Sequence, residues 1–180
     1  LTDTSGAAVT AQVIENTRLH VFHLAPHILT VALPRGDNVN IFVEYSCHCW
    51  TEEFDAAAHV GQMKIMDGTY PRAFCQQRFA ASIDLATLLN TLPQNRLYLT
   101  LSDRNCGTYN ATMLRPDGTA YTAFFTLQAR KGRFGGIRHK LRLFVESAYH
   151  RPQPEGGQKV SIAVIAGQAL QGKKVKHFRR

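Results

Sequence analysis

Between Arg96 and Arg151 the sequence repeats one device four times: a run of alternating apolar and polar residues, closed by a short turn-forming stretch. The runs are "RLYLTLSD", "GTYNATMLR", "AYTAFFTLQAR" and "HKLRLFVESAYHR", joined by "RNCG", "PDGT" and "KGRFGGI". Alternation with period two sends successive side chains to opposite sides of a strand. Connections this short join neighbouring antiparallel strands. The pattern predicts a C-terminal antiparallel meander in an α+β fold, with helices packed on one face.

The chain before the meander is mixed. Apolar runs over Leu19–Val31 and Val39–Trp50, separated by "PRGDN", predict two strands. A short helix is expected over Asp55–Met66, a strand at "FCQQRFAASI", and a helix at "SIDLATLLNTLP" capped by Ser82 or Asp84. After the meander, "KVSIAVIAGQALQGK" predicts a last helix ending at Gly172. Residues 1–172 are thus expected to form a single α+β domain and 173–180 a mobile basic tail.

Alternation divides the last strand into two sets. Leu141, Leu143 and Val145 share a side with Ser147 and Tyr149; Lys140, Arg142, Phe144, Glu146 and His150 take the other. Tyr121, Ala123, Phe125 and Leu127 extend the apolar side on the preceding strand, while Thr122, Phe124, Thr126, Gln128 and Arg130 extend the polar one. The polar set reads as a solvent-facing floor that includes Asn110 and Thr112.

The chain carries 21 Lys and Arg against 13 Asp and Glu, for a net charge of +8. All of that excess lies in two places. Arg130, Lys131, Arg133, Arg138, Lys140, Arg142 and Arg151 face Glu146 as the one acid of their segment, and 173–180 is basic without an acid. Such clustering suits a polyanionic partner, nucleic acid or an acidic protein, and a phosphate-binding surface more than it suits solubility. No apolar run approaches the roughly 18 residues of a membrane span. The N-terminal "LTDTSGAAVTAQ" lacks the basic start and apolar block of a secretory signal, so a cytoplasmic location is expected; it also lacks an initiator Met, as in a processed or trimmed chain.

A floor of cations, hydroxyls and exposed rings can hold single-stranded RNA through phosphate, 2′-hydroxyl and base contacts. Metal-independent cleavage further needs a base for the 2′-hydroxyl, an acid for the leaving oxygen and a cation for the phosphorane. Glu146 or His139 would be the base, His150 the acid and Tyr149 an orienting group, with Arg130, Lys140 and Arg142 on phosphate. Glu146 and His150 stand four residues apart, roughly 13 Å along a regular strand, so a bulge or His139 has to bring acid and base together.

The closing strand "LRLFVESAYHRP" resembles that of the barnase–EndoU–colicin–RelE-like ribonuclease superfamily, in which a short hydroxyl–Ala–Tyr element ends an antiparallel meander. The chain as a whole also resembles proteins carried on bacterial mobile elements. The superfamily resemblance implies a toxin-type endoribonuclease without cofactor, with an inhibitor protein as a further partner. Its site would comprise Arg138, His139, Lys140, Ser147, Tyr149 and His150. Face assignment and resemblance agree on His150 and the cations but disagree on Ser147, which alternation sends to the core. A non-catalytic nucleic-acid-binding or regulatory protein is the alternative reading.

Three other motifs compete. "YSCHCW" places Cys47 and Cys49 on one side of a strand with His48 opposite, and structural zinc would need Cys75 and Cys106 beside them. That would make a zinc-stabilised adaptor, whereas buried free cysteines are ordinary core residues and no metal is the simpler expectation. His20, His23 and His27 have helical metal spacing in a strand-like context, and read as unrelated. "GRFGG" lacks the setting of a phosphate loop and reads as a hairpin turn.

Overall fold

A computed structural model describes residues 21–100, 108–154, 156–173 and 175, together with the backbone of 14 and 15. The fold is a strand-rich α+β arrangement built on two sheets. Strands β1 (Ile14–Glu15), β4 (Thr51–Glu53), β5 (Ile65–Asp67) and β6 (Tyr70–Phe74) form a small sheet in the order β1-β5-β6-β4. The larger sheet takes β2 (His27–Ala32), β3 (Asn38–Tyr45), β7 (Leu97–Leu99), β8 (Tyr109–Leu114), β9 (Ala120–Phe134), β10 (Ile137–Arg151) and β11 (Gln158–Val160). Its order is β11-β7-β8-β9-β10-β3-β2.

The predicted meander is present: β7, β8, β9 and β10 pair antiparallel in sequence order. Beyond it, β3 joins β10 in parallel, with Leu141 opposite Ile41 and Val145 opposite Tyr45. Local alternation cannot announce a parallel partner separated by about a hundred residues, since each strand reads the same whichever neighbour it finds. The core lies where the apolar sets of these strands meet. Ile41, Val43, Leu141, Leu143, Val145 and Phe125 are fully buried there. Helix α3 (Ile162–Leu170) adds Ile162, Ile165, Ala166 and Ala169, and the Ser161 hydroxyl caps it by accepting from Val164 N. Helix α2 (Leu85–Asn90) adds Leu85, Leu88 and Leu89, and the preceding Asp84 is held by Arg115 at 2.5 Å.

Four local expectations are corrected. "FCQQRFAASI" forms helix α1 (Gln76–Ser82), not a strand; Gln76, Gln77, Arg78, Ala80 and Ala81 are all good helix formers. Asp55–Met66 is not a helix. Its Asp55 side chain accepts from Ala57 N at 2.8 Å, an Asx turn, and the segment leaves helical geometry at Gly61, whose φ is +73°. Among the described residues of the expected Leu19–Val31 strand, Phe22–Leu24 makes a 3₁₀ turn and the strand, β2, begins only at His27. The strand expected through Trp50 ends at Tyr45, and Cys47–Cys49 makes a second 3₁₀ turn, so the cysteines do not alternate as strand residues. No described helix is long and apolar enough to cross a membrane. The basic 173–180 segment lies outside the described residues apart from Lys173 and Val175.

The most consequential feature is a break in the β9–β10 ladder. Leu143 faces Leu127 and Val145 faces Phe125, but the next pair is Ser147 with Phe124, followed by Ala148 with Ala123, Tyr149 with Thr122 and His150 with Tyr121. Glu146 is therefore an extra residue, a β-bulge, and residues directly opposite in a ladder share a face. From the bulge onward the phase is inverted: Ala148 and His150 take the apolar side, Ser147 and Tyr149 the polar one. The inversion predicts that Ala148→Leu, which overfills a fully buried position, lowers unfolding free energy by about 1–3 kcal/mol in urea titration. With uninterrupted alternation Ala148 would point away from the core, and the change would be nearly silent.

Candidate nucleic-acid interface

The hairpin between β9 and β10 turns at Gly135 and Gly136, with φ of +54° and +81°. Two consecutive positive φ values define a tight two-residue turn matched to strand twist, and glycine adopts them without a Cβ clash. The strands consequently run through Lys131–Phe134, which composition alone suggested was loop. Neighbouring strands stop short of this end: β8 pairs with β9 only as far as Phe125, and β3 with β10 only from Leu141. What remains is a two-stranded ribbon bearing Arg130, Lys131, Arg133, Arg138 and Lys140, all exposed and with no acid among them.

An aromatic clasp fixes the ribbon on the sheet. The His139 ring stacks on Phe42 with centroids 5.1 Å apart and planes 24° from parallel, and Phe134 reaches the same ring at 4.9 Å. The ribbon thus curls back over β3. A second bulge helps it bend, since β9 spends three steps from Ala129 to Gly132 while β10 spends two between Leu141 and His139. His139 Nδ1 lies 3.1 Å from Arg130 O, and Asn40 Nδ2 donates to Arg138 O at 3.0 Å. His139 is 7% exposed. Its imidazole is packed as part of the clasp at the far end of the strand from Glu146, roughly 24 Å away at strand rise.

The expected open floor is largely covered. Asn110, Thr122 and Phe124 are buried, and Thr112 and Thr122 hydrogen-bond each other at 2.9 Å. Arg142 is ion-paired to Glu44 and lies over the Phe144 ring at 4.7 Å. Near the bulge, Glu146 accepts from the Thr126 hydroxyl at 3.3 Å on the same side as Ser147 and Tyr149. Tyr149 stacks on Phe124 at 5.5 Å, with Arg78 of α1 5.5 Å from its ring and Arg151 at 5.9 Å.

The predicted site residues therefore separate into three groups. Glu146, Ser147 and Tyr149 share one side of β10, and Arg78 and Arg151 lie against the Tyr149 ring. His150 is exposed on the opposite face, 5.4 Å from the Tyr121 ring, so it does not share a phosphate with Glu146. The five ribbon cations form a surface of their own. Ser147 is not on the core side where alternation put it, because the bulge moves it across to the side of Phe124. Arg78 escaped notice since its segment read as a strand; recognising "QQRFAAS" as helical would have exposed it.

The four-cysteine arrangement is not assembled among the described residues. The Cys49 thiol is fully buried, 4.0 Å from Val145 O, Cys75 precedes α1, and Cys106 lies outside the described residues. Of the three histidines, His20 lies outside the described residues; His23 meets the Ser82 hydroxyl at 2.7 Å, and the His27 ring lies tilted to that of Tyr45 with centroids 6.0 Å apart. Burial pushes both imidazoles below their ordinary pKa.

A methyl group tests the clasp. A Cβ on Gly132 would lie 2.6 Å from His139 Nε2. Gly132→Ala should therefore displace the ring and accelerate amide hydrogen exchange across Arg130–Lys140, leaving exchange in the Leu141–Val145 core unchanged. Unaltered ribbon exchange would contradict the clasp.

The sequence profile of the YjaZ family matches residues 11–170, and the chain belongs to that family. The match takes in the ribbon and α3. Protein YjaZ of Escherichia coli (strain K12) is 28% identical over 137 residues, covering 74% of this chain and 72% of that protein. No solved structure matches.

Proposed function

We propose that this member of the YjaZ family binds single-stranded RNA through the curled β9–β10 ribbon. The observation that carries the reading is the concentration of five exposed Lys and Arg on eleven residues without an acid, on a ribbon whose outer edges no described strand covers. Closely spaced cations displace condensed counterions from a phosphate backbone, and that release drives association. The half-exposed Phe134 and Ile137 at the turn give bases an apolar surface beside the charges. Binding is thus assigned to the ribbon instead of the sheet floor, where Arg142 is already neutralised by Glu44.

RNA cleavage without metal is the second reading, favoured by the grouping of Glu146, Ser147 and Tyr149 with Arg78 and Arg151. In it Glu146 takes the 2′-hydroxyl proton, an arginine faces the phosphorane, and Tyr149 takes the acid role that alternation gave to His150. An inhibitor protein and a toxin or mobile-element role belong to this reading only.

Fluorescence anisotropy with a labelled single-stranded oligoribonucleotide in EDTA, over a potassium chloride series, tests both. Binding should weaken linearly with log salt, and Arg133→Gln with Arg138→Gln should reduce the magnitude of the slope by about 1.4, from roughly 0.7 per lost phosphate contact. His150→Ala should leave binding unchanged. An unaltered slope in the double variant would overturn the ribbon reading. New 2′,3′-cyclic phosphate ends that disappear in Glu146→Gln would establish the second reading, and intact RNA would dismiss it.

A further inference from the structure

Cys47, His48 and Asp67 are brought together by turn and strand at the junction of the two sheets. One ligand-capable atom from each, a thiol sulfur, a ring nitrogen and a carboxylate oxygen, lies within 4.8 Å of the others. We propose that these three side chains form a zinc site with a fourth position open to water or a small ligand. The site is independent of the ribbon reading and of the four-cysteine arrangement considered from sequence.

The donor set selects the metal. A sulfur ligand disfavours magnesium and calcium, whereas mixed sulfur, imidazole and carboxylate donors suit zinc. Thiolate and carboxylate together neutralise the dication. Exposure is graded across the cluster: Cys47 is 1% exposed, while the His48 and Asp67 side chains are 34% and 39% exposed. The sulfur would anchor the ion from inside and the other two would hold it at the surface. Three ligands with one solvent-facing side match the open class of zinc site and not the closed four-ligand structural class.

The ligand-bearing turn is held by its backbone. His48 N donates to Ser46 Oγ at 3.2 Å, Thr51 Oγ1 donates to Cys47 O at 2.7 Å, and Arg78 donates to His48 O at 3.3 Å. Arg72, the nearest cation on β6, donates from Nε to Thr51 Oγ1 at 2.7 Å and from its terminal nitrogen to Thr51 O at 3.1 Å. These contacts orient the ligands from outside, as supporting groups do in metal sites. Asp67 ends β5 immediately before Gly68, where a φ of +59° turns the chain back.

His48 Nε2 and Asp67 Oδ2 are hydrogen-bonded to each other at 2.7 Å. Tetrahedral zinc with bonds near 2.0–2.1 Å holds two such atoms about 3.3 Å apart, a separation that small rotations of these half-exposed side chains supply. On entry of the ion, the Nε2 proton gives way to the Nδ1–H tautomer and the Cys47 thiol proton passes to water. Burial first and the Asp67 charge second push the Cys47 thiol above its ordinary pKa.

The test is competition for zinc between the purified chain, stripped with chelator, and a chromophoric zinc indicator. One equivalent should bind, and Cys47→Ser, His48→Ala and Asp67→Asn should each weaken binding at least tenfold, while Cys75→Ser leaves it unchanged. Cobalt should give a near-ultraviolet thiolate charge-transfer band that Cys47→Ser abolishes. Asp67→Asn changes a half-exposed group and serves where the buried cysteine variant fails to fold. Zinc ignored by the folded wild type, or bound with equal affinity by the Asp67 variant, would overturn the site.

Discussion

The backbone ladder between β9 and β10 is the constraint on which the other features depend. Fifteen residues of each strand are tied in one register, and the two places where that register slips decide what faces what. Hydrogen bonding leaves the ladder little choice: an unpaired buried N–H or C=O costs about 1–3 kcal/mol, so an extra residue is absorbed locally as a bulge. At Glu146 the bulge exchanges the faces of Ser147, Tyr149 and His150. Between Ala129 and Gly132 it bends the ribbon so that His139 and Phe134 close on Phe42.

Much of the meander was legible in the sequence because alternation and turn composition agreed at every step from β7 to β10. The Gly135–Gly136 turn was visible in the same way, although the strands extend further toward it than the glycine-rich stretch implied. The bulge was written less openly. Glu146 and Ser147 are two polar residues in succession where alternation demands one, but such a pair is equally compatible with a strand end. Alternation assigned Ser147 to the core side, and only the ladder register shows it on the polar one. The parallel pairing of β3 with β10 was invisible, since it joins segments far apart in the chain. Cys47 and His48 were noticed as a motif, but Asp67 could not be associated with them before the small sheet brought β5 beside the turn.

Electrostatics and packing set two groups of cations apart. Arg72, Arg78, Arg115 and Arg142 are committed to carbonyls, hydroxyls or carboxylates within the fold. Arg130, Lys131, Arg133, Arg138 and Lys140 are displayed on a ribbon with no carboxylate in its own sequence. Adding all of them into one basic sheet face, as alternation suggests, overstates the floor and understates the ribbon. The same distinction separates His139, whose ring is buried in the clasp, from His150, exposed beyond the bulge.

Backbone amide chemical-shift mapping during titration with single-stranded RNA addresses the assignment of binding to the ribbon most directly. The largest perturbations should fall between Gln128 and Lys140 on both arms of the hairpin, with little change at Ser147–Arg151. Perturbations centred on the Glu146–Tyr149 end, or spread evenly over the surface, would contradict it.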